Sequence, residues 1–257
     1  MCSYKCLPAG EVHVYLAKDV LIEAPELLSE YAALLSEEEC ARAERFHFPC
    51  DRHQFLVARA LLRTTLSHYY PAISPRNWQF AKNPYGRPYV IGQMNEKIGF
   101  NLSHTQGLIA LAIASVNVVG VDVEKYEKAA ASLDIAERFF TRAEVRYLLE
   151  APPEFLHRRF FEVWTLKEAY IKARGMGLSI PLEGFTIGFP SETTLSISFA
   201  RQLGDDPLRW RLWTIEPGAD TLLALALASD RHWNVRLFDC IPLLEMTETK
   251  CTILRQL

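Results

Sequence analysis

The hydrophobic pattern of this chain repeats itself. Leu108-Ile109-Ala110-Leu111-Ala112-Ile113-Ala114-Ser115 returns as Leu222-Leu223-Ala224-Leu225-Ala226-Leu227-Ala228-Ser229, differing only by aliphatic exchanges. Small and large residues alternate in both runs, as in a strand buried on both faces. Ala and Leu also suit a buried helix, but the turn residues Gly107 and Gly218 beside the runs favour strands. Helical spacing recurs as well, over Gln54–Tyr69 (Phe55, Leu62, Leu66) and Arg159–Arg174 (Phe160, Trp164, Ile171). Ahead of each lies a capping box, Ser36 with Glu39 and Thr141 with Glu144. Each half therefore reads as a capped helix, a longer helix, then strands. This order predicts an α+β fold of two similar halves, 1–118 and 119–257, joined near 116–120, with a cleft between them where a ligand would bind. Residues 82–88 and 181–184 read as turn-rich loops, Pro152-Pro153 as a helix break, and no element is assigned after about residue 240.

Composition narrows the class. The 257 residues are 49% hydrophobic, enough for a sizeable core, and the net charge of −3 provides no overall field for nucleic acid or anionic lipid. The longest apolar run, Leu108–Ala114, is too short to span a bilayer, and the N-terminus lacks an apolar leader segment. Cysteines at 2, 6, 40, 50, 240 and 251 form no CxxC and are spaced as reduced thiols, so a cytoplasmic protein without structural zinc is expected.

Asp122 and Glu124 alternate on a predicted strand and share a face. They read either as hard oxygen ligands for Mg²⁺ or as a strand emerging into solvent toward Lys125, Glu127 and Lys128. Glu168 and Lys172 share a helix face, as part of a site or as an ordinary surface ion pair. Ser103 and His104 are adjacent on a strand and face opposite ways; with no GxSxG turn present, a hydrolase reading is rejected. They read as a phosphate-binding pair, or as a buried histidine beside a serine. Arg42, Arg45, Arg59 and Arg63 lie on the first pair of helices, and Arg87 sits in a Gly-Arg-Pro turn where its fork could meet a phosphate. Glycine-rich nucleotide loops are absent.

Together these residues resemble the Sfp-type 4′-phosphopantetheinyl transferase family. The signatures are Gly-Val-Asp-Val-Glu at 120–124 and Trp-Thr-Leu-Lys-Glu-Ala-Tyr-Ile-Lys at 164–172. Tyr-Gly-Arg-Pro (85–88), Asn-Leu-Ser-His (101–104) and Arg-Phe-Phe-Thr (138–141) agree in order. The resemblance implies coenzyme A bound between the halves. It implies transfer of the phosphopantetheine arm to a serine of an acyl or peptidyl carrier protein, with release of adenosine 3′,5′-bisphosphate. By resemblance, Asp122, Glu124 and Glu168 are the Mg²⁺ ligands and Lys172 lies near the pyrophosphate. Ser103 and His104 meet the coenzyme A phosphates, His104 near the 3′-phosphate, and Arg87 and Pro88 border the adenosine. Arg42 fills one of two basic positions for the 3′-phosphate; Glu39 stands at the other, leaving Arg45 or Arg59 to compensate. Glu168, directly or through a water, is the expected base for the attacking hydroxyl. The expected dock for an acidic carrier is the segment after Glu124, including Arg138, Arg142 and Arg146, with the Thr141 cap separating Arg138 from the other two; the alternative is a solvated face, and a monomer is expected. A non-catalytic binding module and a metal-dependent phosphohydrolase are the competing classes.

Overall fold

The structure, a computed structural model, describes residues 7–92, 98–126 and 133–257. The cysteines at 2 and 6 and the charged residues Glu127 and Lys128 lie outside that set. The first half runs β1 (Glu11–Ala17), α1 (Pro25–Leu34), α2 (Glu37–Ala43), α3 (Pro49–Tyr69), a hairpin of β2 (Phe80–Lys82) and β3 (Pro88–Val90), then β4 (Gly99–Thr105) and β5 (Leu108–Ala114). The second repeats that order with β6 (Val119–Lys125), α4 (Leu133–Phe139), α5 (Arg142–Leu149), α6 (Leu156–Arg174), a hairpin of β7 (Phe185–Gly188) and β8 (Ser196–Phe199), β9 (Trp210–Gly218) and β10 (Thr221–Ala228). Both apolar runs are strands, and both capping boxes form, at Ser36 and Thr141. The fold is α+β.

The chain does not end with the second half. β11 (Asn234–Ile241) and β12 (Glu245–Thr249) return to the first sheet, and β13 (Ile253–Gln256) joins the second. Sheet membership thus departs from a division at 118/119, and the unassigned segment after residue 240 is ordered as strands. The strand orders are β12-β11-β1-β5-β4 and β13-β9-β10-β6. Among the described residues, only β1 and β11 pair in parallel within these sheets, a pairing between distant segments that local periodicity does not reveal.

Four layers result: α3, the first sheet, the second sheet, α6. On β5, Ile109, Leu111 and Ile113 pack under α3, while Ala110, Ala112 and Ala114 face the second sheet. On β10 the sizes are exchanged: Leu223, Leu225 and Leu227 fill the space between the sheets, and Ala224 and Ala226 face α6. Each buried Leu or Ile contributes roughly 1.5–3 kcal/mol through water exclusion. The alanines contribute differently, by letting a neighbouring layer approach. That approach is closest where Gly120 of β6 meets α6: a Cβ at Gly120 would lie 2.0 Å from the Ala169 carbonyl oxygen and 2.5 Å from the Ala173 nitrogen.

Candidate active site

The two sheets meet edge to face at β4 and β6. One edge of β6 is paired with β10; its other edge has free backbone N–H groups, which need partners when buried. β4 supplies them from side chains. Asn101 Oδ1 accepts from the Val121 N–H at 2.9 Å, and Ser103 Oγ accepts from the Val123 N–H at 3.4 Å. Between these backbone groups, Asp122 turns toward α6. It is 4% exposed.

Lys172 Nζ donates to Asp122 Oδ1 at 2.6 Å and to Ser103 Oγ at 2.8 Å, and Ser103 donates to the same Asp122 oxygen at 2.8 Å. The lysine of α6, the aspartate of β6 and the serine of β4 thus form one closed contact at the seam. It exists because Gly120, Ala169 and Ala173 let α6 lie against β6. Asp122 Oδ2 is buried without a hydrogen-bond partner. Glu124 and Glu168 are half-buried beside it. Burial, and next the Asp122 charge, push the Glu124 carboxyl up to about 7, with Glu168 adding to the rise. Burial and then Asp122 also raise the Glu168 carboxyl, against the pull of Lys172. The carboxylates are close enough to oppose one another's ionisation.

Among the described residues, no three His, Cys, Asp or Glu side chains are gathered tightly enough to hold a metal by themselves. Of the expected ligands Asp122, Glu124 and Glu168, Asp122 has one oxygen taken by Lys172 and Ser103. The donor set still fits Mg²⁺, which accepts hard oxygens and is usually held by one or two carboxylates plus waters and substrate phosphates. Asp122 Oδ2, buried without a partner, and the neighbouring Glu124 are what such an ion would satisfy.

Other expected residues are placed less simply. His104 is exposed on the opposite face of β4 from Ser103; partial burial of its ring, then the Lys172 charge, lower its pKa. Arg42 is exposed, with its guanidinium 5.2 Å from the Phe55 ring centre, and Arg45 is exposed too. Glu39 pairs with both Arg59 and Arg63, the latter at 2.6 Å. Burial opposes its charge, yet Arg59, the Ser36 N–H and Arg63 outweigh that and hold its pKa below the usual range. Arg59 thus has a carboxylate partner already, and Phe80 lies 4.6 Å beneath its guanidinium. Arg87 turns inward: Nη1 donates to the Ala173 carbonyl at 2.9 Å, and Nη2 to those of Asn117 at 2.6 Å and Val119 at 3.2 Å. This departs from the expectation of a phosphate fork. Pro88 opens β3 directly after it. Arg142 and Arg146 line a shallow pocket of about 340 Å³ with Glu137, Phe140, Val145 and Leu149. Arg138 is not in that lining; it belongs to α4, which ends before the Thr141 cap, so the three arginines do not form one helical stripe.

Sequence reasoning missed Lys167. It is wholly buried and bonds Glu144 at 2.9 Å and the Leu182 and Phe185 carbonyls at 2.7 Å each. Glu144 also caps α5 and accepts from the Ile187 N–H at 2.7 Å. The signal was the apolar helical neighbourhood of Lys167, with Val163, Trp164, Tyr170 and Ile171 three and four positions away; its partner lay 23 positions upstream as the last residue of a capping box.

The seam of lysine, serine and acidic side chains lies between two repeated α+β halves, and comparison with known proteins is specific. A family model described as the 4′-phosphopantetheinyl transferase superfamily matches residues 118–228. A second, described as 4′-phosphopantetheinyl transferase, N-terminal, matches 24–116. The 4′-phosphopantetheinyl transferase HetI of Nostoc sp. is 32% identical over 225 residues, 86% of this chain and 90% of its own. A putative 4′-phosphopantetheinyl transferase of Synechocystis sp. is 31% identical over 207 residues, 80% of each chain. The 4′-phosphopantetheinyl transferase Sfp of Bacillus subtilis is 28% identical over 188 residues, 73% of this chain and 80% of its own. The chain belongs to the 4′-phosphopantetheinyl transferase superfamily and is a transferase.

Proposed function

We propose that this protein transfers the 4′-phosphopantetheine arm of coenzyme A to a serine hydroxyl of an apo acyl or peptidyl carrier protein, releasing adenosine 3′,5′-bisphosphate. The supporting observation is the Lys172–Asp122–Ser103 contact flanked by Glu124 and Glu168. Two carboxyls with raised pKa values beside a lysine suit a substrate that brings its own anionic charge and a cation to balance it.

Mg²⁺ on Asp122, Glu124 and Glu168, when bound, would offset charge growing on the pyrophosphate. The chain's own groups do the rest. An ammonium has three N–H donors. Lys172 directs one to Asp122 and one to Ser103, leaving one for a pyrophosphate oxygen. Burial and the Asp122 charge raise the Glu168 carboxyl, whereas a cation on it would lower its basicity, so a water between Glu168 and the hydroxyl is the favoured route for the proton. In the step proposed, the carrier serine oxygen bonds to the pantetheine-side phosphorus and its proton passes, directly or through a water, to Glu168. The bond from that phosphorus to the pyrophosphate bridging oxygen breaks, and its electron pair leaves with the adenosine bisphosphate. The pocket bearing Arg142 and Arg146 is the proposed dock for the carrier's acidic surface; the rest of the expected dock, residues 127–132, lies outside the described set. A monomer in the cytoplasm completes the reading, compatible with free thiols at Cys40, Cys50, Cys240 and Cys251.

Incubation with coenzyme A, Mg²⁺ and an apo carrier tests it. The carrier should gain the mass of the phosphopantetheine arm. Nucleotide release with no change in the carrier would replace transfer by hydrolysis.

A further inference from the structure

We propose that Arg87 is a positioning residue for the transfer reaction, acting through the last turn of α6 and the start of β6 rather than on the substrate. This rests on the function proposed above. The guanidinium joins three backbone carbonyls, of Ala173 in α6, Val119 in β6 and Asn117 in the connection before β6. Ala173 directly follows Lys172, and Val119 directly precedes Gly120. Arg87 therefore holds the two backbones that carry Lys172 and Asp122, at the ends of the contact those residues make.

Each bond has a physical reason. The last carbonyls of a helix lack intrahelical partners, and the helix dipole favours a cation there. Gly175, in the left-handed conformation at φ +64°, ends α6 and leaves space for the arginine stem; a Cβ there would lie 2.5 Å from Arg87 Cδ. The loop is set before it meets the helix. Asn83 Oδ1 accepts from the Tyr85 and Arg87 N–H groups at 3.0 and 2.9 Å, while its Nδ2 donates to the Gly175 carbonyl at 2.6 Å. Both N–H groups of Nη2 and one of Nη1 are turned inward. A lysine offers one compact ammonium and cannot reproduce this planar bridge.

The test compares Arg87→Met and Arg87→Lys with wild type, varying coenzyme A at saturating carrier. In both variants kcat should fall about 10- to 100-fold, with KM for coenzyme A within about twofold of wild type. A KM raised about tenfold in Arg87→Met and largely restored in Arg87→Lys, at unchanged kcat, would mark a phosphate contact and overturn the proposal. A lowered melting temperature with both constants unchanged would mark a purely structural clamp and overturn it too. Should neither variant fold, Asn83→Ala loosens the same loop more mildly; it should lower kcat severalfold at unchanged KM, and wild-type kcat there would count against the idea. A wild-type protein that transfers nothing removes the reaction itself, and the positioning role with it, before any substitution is made.

Discussion

Replacing Gly120 by alanine tests whether close approach of α6 builds the site. The added Cβ would sit 2.0 Å from the Ala169 carbonyl oxygen and 2.5 Å from the Ala173 nitrogen, both rigid backbone atoms. Ordinary contact begins at 3.4 Å, so the helix must retreat by roughly 1.4 Å. Two effects on stability oppose each other. Alanine loses less chain entropy on folding than glycine, a gain of about 0.5–1 kcal/mol. Overpacking against fixed backbone costs typically about 1–3 kcal/mol, so the strain should win. The effect on the site should be larger. Lys172 lies on the displaced helix, and its 2.6 Å bond to Asp122 would stretch to about 4 Å, beyond hydrogen-bonding range. A shift of that size at a reacting centre costs about a hundredfold in rate. Urea unfolding should show a net loss of roughly 1–2 kcal/mol, and the carrier mass assay should show kcat reduced about a hundredfold in protein still folded. Wild-type midpoint and wild-type turnover together would refute the reasoning, because they would mean that the Gly120–Ala169 approach positions nothing.

Three further outcomes follow. Glu168→Gln should abolish turnover while coenzyme A binding remains measurable by calorimetry; full activity would remove Glu168 as the base. Lys167→Met should destabilise the protein by about 3–5 kcal/mol in urea unfolding, since it leaves the Glu144 carboxylate buried without its counter-charge; a loss under about 1 kcal/mol would contradict that. Glu124 titrates near 7 when folded against 4.5 unfolded, so the folded state holds the extra proton between those values. Its stabilising effect is present below the unfolded value and lost as pH rises through about 7, and in chelator the melting temperature of wild type relative to Glu124→Gln should fall over that interval. A flat difference would show that burial does not raise this carboxyl.

Much of this was legible because it is local. The alternation over Leu108–Ala114 and Leu222–Ala228 marks strands, and Ser36 and Thr141 mark helix starts, through contacts within a few residues. The α3 helix nonetheless begins at Pro49, five positions before the apolar spacing becomes regular, because proline suits a first helical turn. Same-face logic put Asp122 with Glu124 and Glu168 with Lys172, but could not show that Lys172 closes on both Asp122 and Ser103. That depends on how β4 crosses the edge of β6. The inward turn of Arg87 was out of reach for the same reason. A guanidinium in an exposed-looking turn is indistinguishable by sequence from one aimed at carbonyls 30 and 86 positions away. Glu39 was seen as a departure from the family pattern; its pairing with Arg59 and Arg63 gives it a structural reason.

The C-terminal strands have a mechanical consequence. The chain passes between the two sheets after β5, after β10 and again after β12, each time through a short connection. Two bodies joined by a single linker can swing apart about it, whereas bodies stitched at three points cannot open like a clam shell. Admission of a large second substrate should therefore depend on side chains and loops at the rim, with the sheets themselves moving as one block.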